Sequence, residues 1–402
     1  MSKQLPTPDG EALRSLLRAS HLLPADQVGS VIAEKAALLG AREAVVYLAD
    51  YGQQLLLPVP GNGVPVREPL PVDGSTRGQV FRRVELLREP TADGGTRLWL
   101  PLIDGAERLG IIELAFPDDP RDRYEEEVRA FVSIVAELSV TRNLYSDVLR
   151  LLRRRRPLTM AAEIQWELLP PLTFGTDQIV ITGMLEPAYE IGGDTFDYAV
   201  NRETADLLVL DAVGHGLRAA LIAAAALGAY RHARRAGGHL PEVAAAMNTI
   251  IAENFGESWF ATALLARINL PTGRLTWVNA GHPAPIVVRQ GALVHPPVCP
   301  SSRPLGLQSE PVIECETQLE PGDRVLLYTD GVVEARSPDG QFFGEERLAD
   351  FVIRAEEAGD PPPETLRRLM RSVMDHQAGR LQDDASIVLV EWRTDRHKVM
   401  RL

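Results

Sequence analysis

The sequence predicts an α+β protein of two domains: an N-terminal antiparallel sheet with flanking helices, a helical linker, and a C-terminal α-β-β-α sandwich. Three observations predict it. The chain has 402 residues, more than one ordinary core holds at about 100–200 residues per domain. Short apolar strands alternate with Gly- and Pro-rich connectors throughout. In the second half, two helices are inserted among the strands and a third precedes the last strand, an order that suits helix–sheet–sheet–helix layering.

The elements follow in chain order. "VGSVIAEKAALLGA" reads as a helix, and "EAVVYLAD", "QQLLLPVP", "TRLWLPLID" and "RLGIIELAF" read as strands. "PGNGVPVREP" and "VDGSTRG" connect them. From Tyr124 to Leu152, Val128, Phe131, Val135, Leu138, Tyr145, Leu149 and Leu152 recur at three- and four-residue intervals, a helical stripe of heptad character with a face to bury against a partner. Pro157 ends that helix, because proline removes a donor and clashes within a turn. A short helical segment, "LTMAAEIQWELLPP", follows. The boundaries expected are 1–150 for the first domain with its exit helix, 151–177 for the linker, 178–393 for the second domain and 394–402 for a tail. Beyond the linker come the strands "DLLVLDAVGHG", "FATALLARINL", "RLTWVNAGH", "PIVVRQG", "RVLLYTDG" and "ASIVLVEW", with helices near 217–236, 241–254 and 362–378. "INLPTGRLTW" reads as a hairpin turning at Pro-Thr-Gly.

Composition excludes several classes. A net charge of -13 argues against a nucleic-acid partner, which needs a basic face; the Arg cluster "RLLRRRRP" is local, and Arg153–Arg156 read as a solvated helix end favoured by the dipole. The longest apolar run, "AALIAAAALGAY", is far short of the roughly 20 residues that span a bilayer. The N-terminus has no apolar signal-peptide core. Cys299 and Cys315 match neither a disulfide framework nor a zinc spacing, which fits a reducing compartment. The expectation is a cytoplasmic protein with no membrane segment.

The chemistry sits in acids of the C-terminal half. Asp194 follows a Gly-Gly pair in "YEIGGDTFDY"; Asp211 ends "LLVLD", Asp330 ends "VLLYTD", and Asp383 and Asp384 open "ASIVLVEW". Three of these four spots are strand ends, from which a carboxylate projects off a rigid edge. Mg²⁺ and Mn²⁺ prefer hard oxygen ligands and keep several waters, so a few aspartates suffice for two ions. Two such ions activate a shared water and clamp both oxygens of an in-line phosphoryl displacement. Gly192, Gly193, Gly214, Gly216 and Gly331 flank the acids, where a backbone without Cβ can approach an ion. His215 in "GHG" reads equally as a proton donor and as a hydrogen-bonded loop residue. His282 in "NAGHPAP" reads as a structural turn residue.

In order, "IGGDTFD", "LDAVGHGLRAA", "WVNAGHPAPIV", "LLYTDGVVEAR" and "DDASIVLV" make residues 178–393 resemble the bacterial sporulation-phosphatase branch of the metal-dependent, type-2C-like (PPM) serine/threonine phosphatases. The resemblance implies that Asp194, Asp211, Asp330 and Asp383 hold two Mn²⁺ or Mg²⁺ ions, with Asp211 bridging and the Ala212 carbonyl contributing. Asp384 competes with Asp383 for the last place, and position favours Asp383. Ala212 stands where many relatives have glycine, which a carbonyl ligand does not require. The resemblance further implies a phosphorylated anti-anti-sigma-type regulator as substrate, in partner-switching signalling. A diguanylate cyclase reading of "GGD" fails because Thr195 stands where the second acid belongs. A scaffold that binds a phosphorylated partner through an intact but slow site is the other alternative.

Residues 20–150 resemble a GAF sensor domain through "STRGQVFRRVELL" and "LWLPLIDGAERLGIIELAF". With no cysteine before Cys299, a thioether-linked bilin is excluded, and His21 is the only imidazole available there to a haem. Asn62 and Asn143 do not build the cyclic-nucleotide motif of that family. The expectation is a dimer formed through the 124–156 helix, whose register sets the phosphatase rate.

Overall fold

The structure, a computed structural model, describes residues 10–120, 123–144, 146–190, 192–379 and 381–393. Tyr145 of the expected stripe and the 394–402 tail lie outside the described residues. The chain divides into two compact units at the Arg156–Pro157 junction.

The first unit is built on one sheet. Its strands β1 (Glu43–Ala49), β2 (Leu55–Pro58), β3 (Leu70–Pro71), β4 (Leu87–Pro90), β5 (Thr96–Asp104) and β6 (Glu107–Phe116) lie in the order β3-β2-β1-β6-β5-β4, each pair antiparallel. Successive side chains of a strand face opposite ways. Ala44, Val46 and Leu48 therefore meet helices α1 (Glu11–Ser20), α2 (Val28–Ala36) and α4 (Arg123–Asn143), while Val45, Tyr47 and Ala49 pack with α3 (Thr76–Arg83).

Two expectations are corrected in this unit. The helix predicted from 124 to 152 is two: α4 ends at Asn143, and α5 (Asp147–Leu152) starts anew, its cap Ser146 Oγ accepting from the Val148 amide at 3.3 Å. The stripe does not await a partner either. Val128, Phe131, Val135 and Leu138 are buried in the unit's own core, so pairing of protomers through Val135 and Leu138 is ruled out. Within the Arg run, whose Arg155 and Arg156 are exposed, two side chains are also tied to the sheet. Arg153 Nε donates to the Ala49 carbonyl at 2.8 Å, its guanidinium lies over Tyr51, and Arg155 pairs with Asp50 at 2.8 Å.

The second unit opens with α6 (Met160–Leu168), capped by Thr159 Oγ1, and β7 (Thr173–Gly175). Ala162 of α6 joins the core between the sheets, so the part of the expected helical linker from Pro157 onward packs with this unit. One sheet runs β15-β12-β11-β10-β9, formed by β9 (Asp194–Val200), β10 (Thr204–Ala212), β11 (Ala261–Asn269), β12 (Arg274–Ala280) and β15 (Glu314–Gln318). The other runs β14-β13-β16-β17-β8-β7, with β8 (Ile179–Glu186), β13 (Ile286–Arg289), β14 (Ala292–Val294), β16 (Arg324–Tyr328) and β17 (Ala385–Trp392).

Both faces of each sheet are covered, which is why the strands read as continuous apolar runs rather than alternating ones. Leu207 and Val209 face the opposing sheet; Leu208 and Leu210 face α7 (Leu217–Arg235) and α8 (Leu240–Phe255). On the far side Ile387 and Leu389 meet α10 (Glu345–Glu357) and α11 (Pro362–His376), past the short α9 (Asp330–Val333). This is an α-β-β-α sandwich. The hairpin β11–β12 turns at Leu270–Gly273, where Asn269 Oδ1 accepts from the Thr272 amide.

The cysteines are not unpaired: Cys299 and Cys315 form a disulfide with Cα atoms 5.8 Å apart. Pairing of β15 with β12 sets Cys315 opposite Trp277, within reach of the loop that carries Cys299. The cysteine argument for a reducing compartment falls with this correction. No helix among the described residues is long and apolar enough to cross a membrane.

Candidate metal centre

Two strand pairs gather the acids at one end of the sandwich. Asp194 is the first residue of β9, and the antiparallel register sets it directly opposite Asp211 near the end of β10. On the other sheet, Asp330 opens α9 straight after β16, and Asp383 and Asp384 precede β17, the neighbour of β16. Thr329 ties the sheets together. Its hydroxyl donates to Asp194 Oδ2 at 2.7 Å and accepts from the Ser386 amide at 2.9 Å.

Asp384 and Asp383 have different surroundings. Asp384 Oδ2 accepts from the amides of Gly192 and Gly193, at 2.6 and 2.9 Å. Asp383 is exposed, and among the described residues its Oδ1 accepts only from the Asp384 amide, at 2.9 Å. Close backbone approach explains two of the glycines. A Cβ on Gly193 would stand 2.2 Å from the Ala212 carbonyl oxygen, and one on Gly331 would stand 1.9 Å from the Asp384 carbonyl oxygen. At these positions glycine is needed for packing, whatever its freedom near an ion.

The cluster gathers carboxylates with no cationic side chain beside them among the described residues. Burial first, then Asp211 and Asp384, hold Asp194 well above the usual carboxylate range. Burial and the carboxylates of Asp330, Asp383 and Asp384 push Asp211 up to about 7. Asp330 and Asp384 are raised as well, both chiefly by burial. Among the described residues no Lys, Arg or His forms an ion pair with any of these acids. Nor do three acid, His or Cys side chains converge there into a finished metal cage. The donor set still fits Mg²⁺ or Mn²⁺: hard oxygens on rigid strand ends, repelling one another until a cation pairs them.

The histidines separate. His282 is buried, its Nδ1 lies 2.7 Å from Thr262 Oγ1, and its amide and carbonyl are both held by the Asn279 side chain. Burial lowers its pKa to about 3, so the ring is neutral and holds a turn. His215 is exposed on the loop after Asp211. Thr329 and Thr262 are the site residues that sequence reading missed. Thr262 lies across from Asp211 in the β10–β11 register, and the only signal for either was a hydroxyl beside an acid-bearing strand end.

Residues 201–393 match the family described as Stage II sporulation protein E (SpoIIE). The chain is 24% identical over 234 residues to the phosphoserine phosphatase RsbU of Bacillus subtilis, covering 58% of this chain and 69% of that protein. It is 24% identical over 271 residues to protein IcfG of Synechocystis sp., covering 59% of this chain and 41% of that one. Among solved structures, the SiaA-PP2C domain of Pseudomonas aeruginosa is similar at 22% identity and a TM-score of 0.48, over 58% of this chain and 94% of that one.

Proposed function

We propose, from the match of residues 201–393 to the SpoIIE family, that the C-terminal unit is a metal-dependent protein serine/threonine phosphatase. The observation that carries the reading is the group of mutually repelling, unpaired aspartates at the end of the sandwich. Asp194, Asp211, Asp330 and Asp383 would hold two divalent cations, Mn²⁺ or Mg²⁺, with the Ala212 carbonyl beside them. Bound there, the ions supply Lewis acidity and charge for in-line hydrolysis of a phosphomonoester.

The chain's own residues arrange the donors. The Thr329 hydroxyl fixes the Asp194 carboxylate, and Asp384 is occupied by the Gly192 and Gly193 amides. Asp384 is therefore the positioning residue, and Asp383, whose second oxygen has no such tie, is the ligand. With both cysteines in a disulfide the chain offers no thiolate nucleophile, which supports direct attack by water.

The partner in this reading is a phosphorylated anti-anti-sigma-type regulator in the cytoplasm, and the first unit is a GAF-like sensor that sets the rate. A homodimer would have to use a surface other than the α4 stripe. Leu144, Val148 and Leu151, exposed around α5, are such a surface. The test is release of p-nitrophenol from its phosphate ester with Mn²⁺, Mg²⁺ or chelator. Metal-dependent release that Asp330→Asn abolishes supports the enzyme; no release in any metal, from the full chain or from 157–402, favours a scaffold that only binds phosphorylated partners.

A further inference from the structure

We propose that Arg218 binds the substrate's phosphoryl group at the mouth of this site, an inference that rests on the phosphatase reading. The β10–β11 register carries the chain there. Asp211 lies opposite Thr262 and Ala212 opposite Ala261, and the Val213 amide donates to the Phe260 carbonyl at 3.0 Å. One step further out, the Trp259 ring is 3.7 Å from where a Cβ on Gly214 would stand. Trp259 is thus about 10 Å along the strand from Asp211, three residues at roughly 3.3 Å each. The loop ending at Gly216 also abuts Gly192, whose Cβ position is 2.8 Å from the Gly216 amide nitrogen. Arg218, in the first turn of α7 beyond this loop, lays its guanidinium over Trp259, 4.0 Å from the ring centroid.

The surroundings of this guanidinium differ from those of Arg231 and Arg234 on the same helix. Arg231 and Arg234 are both held by the buried carboxylate of Asp197. Arg218 is exposed and, among the described residues, stacks on Trp259 without any carboxylate partner. A stacked guanidinium gives up little freedom when it binds, keeps its charge, and presents paired N–H groups matching two phosphoryl oxygens. A phosphomonoester brings two negative charges to a mouth already rich in carboxylates. A fixed cation there favours substrate and is positioned to favour the phosphate product as well.

The test uses the full chain with Mn²⁺, a phosphoserine peptide, and inorganic phosphate as product inhibitor, comparing Arg218→Ala, Arg218→Lys, Trp259→Ala and Asp330→Asn. Expected for Arg218→Ala is a rise of at least about tenfold in KM and in the phosphate inhibition constant, with kcat and the Mn²⁺ midpoint within about threefold. Arg218→Lys should regain part of the loss, and Trp259→Ala should reproduce part of it. Unchanged KM and phosphate inhibition in Arg218→Ala, while Asp330→Asn is dead, overturns the assignment and leaves the phosphatase reading intact. A shift of kcat and the Mn²⁺ midpoint together with KM would mark a structural role and overturn it too. Turnover that survives Asp330→Asn would instead remove the phosphatase reading itself.

Discussion

Replacing Asp211 with Asn should stabilise the metal-free C-terminal unit while abolishing its response to metal. Burial and the neighbouring carboxylates raise Asp211 from 3.8 to about 7. Between those values the folded chain keeps a proton that the unfolded chain releases, so stability falls as pH rises through that window. At 1.36 kcal/mol per pH unit, the cost to the metal-free fold is roughly 4 kcal/mol once pH exceeds 7. The neighbouring acids titrate together with Asp211, which lowers the gain expected from one substitution to about 2–4 kcal/mol. For a unit of this size that is a rise in Tm of roughly 4–16 °C at pH 8 in chelator. Melts between pH 5 and pH 8 measure it. The wild type in chelator should lose Tm as pH rises, Asp211→Asn should lose much less, and Mn²⁺ should raise only the wild type. A variant that melts at or below the wild type in chelator at pH 8 would refute the reasoning, because the carboxylate would then not be uncompensated.

Two further substitutions probe the packing. Gly193→Ala puts a methyl group 2.2 Å from the Ala212 carbonyl oxygen, so β9 must move against β10 beside the acids; turnover should fall about 100-fold with circular dichroism unchanged, and a near-normal rate would show that the strands give way freely. Val135→Asp places an unpaired charge in the core of the first unit, where Val135 is 0% exposed. It should cost upwards of roughly 3 kcal/mol, so that calorimetry shows this unit melting early while p-nitrophenyl phosphate turnover survives. Unaltered melting with a halved mass in light scattering would restore the partner-facing stripe.

What could be read in the sequence was whatever a local pattern encodes. The acids were legible because each ends or begins an apolar strand, and antiparallel pairing then sets Asp194 against Asp211 without further instruction. The helical stripe of α4 was legible as a stripe, but periodicity records only that a face is buried; Val135 and Leu138 look the same whether their partner is a second copy or their own sheet. The restart of the helix at Asp147 left a weak trace, Ser146 as a cap with Asp147 in the first helical turn. The disulfide was invisible because it depends on β15 returning to pair with β12, an edge strand whose residues carry no apolar run.

The choice between Asp383 and Asp384 shows the limit most sharply. Adjacent identical residues at a strand entrance project differently, and position along the chain says nothing of what each meets. The Gly192 and Gly193 amides, some 190 residues away, take Asp384. In the proposed reading that contact separates the two roles: a carboxylate oxygen already accepting two short amide bonds has less to offer an ion, and its exposed neighbour has more. The same contact explains why the Gly-Gly pair must precede Asp194. It orients two amides onto one acid while letting β9 start against the Ala212 carbonyl, so one dipeptide fixes both sides of the site.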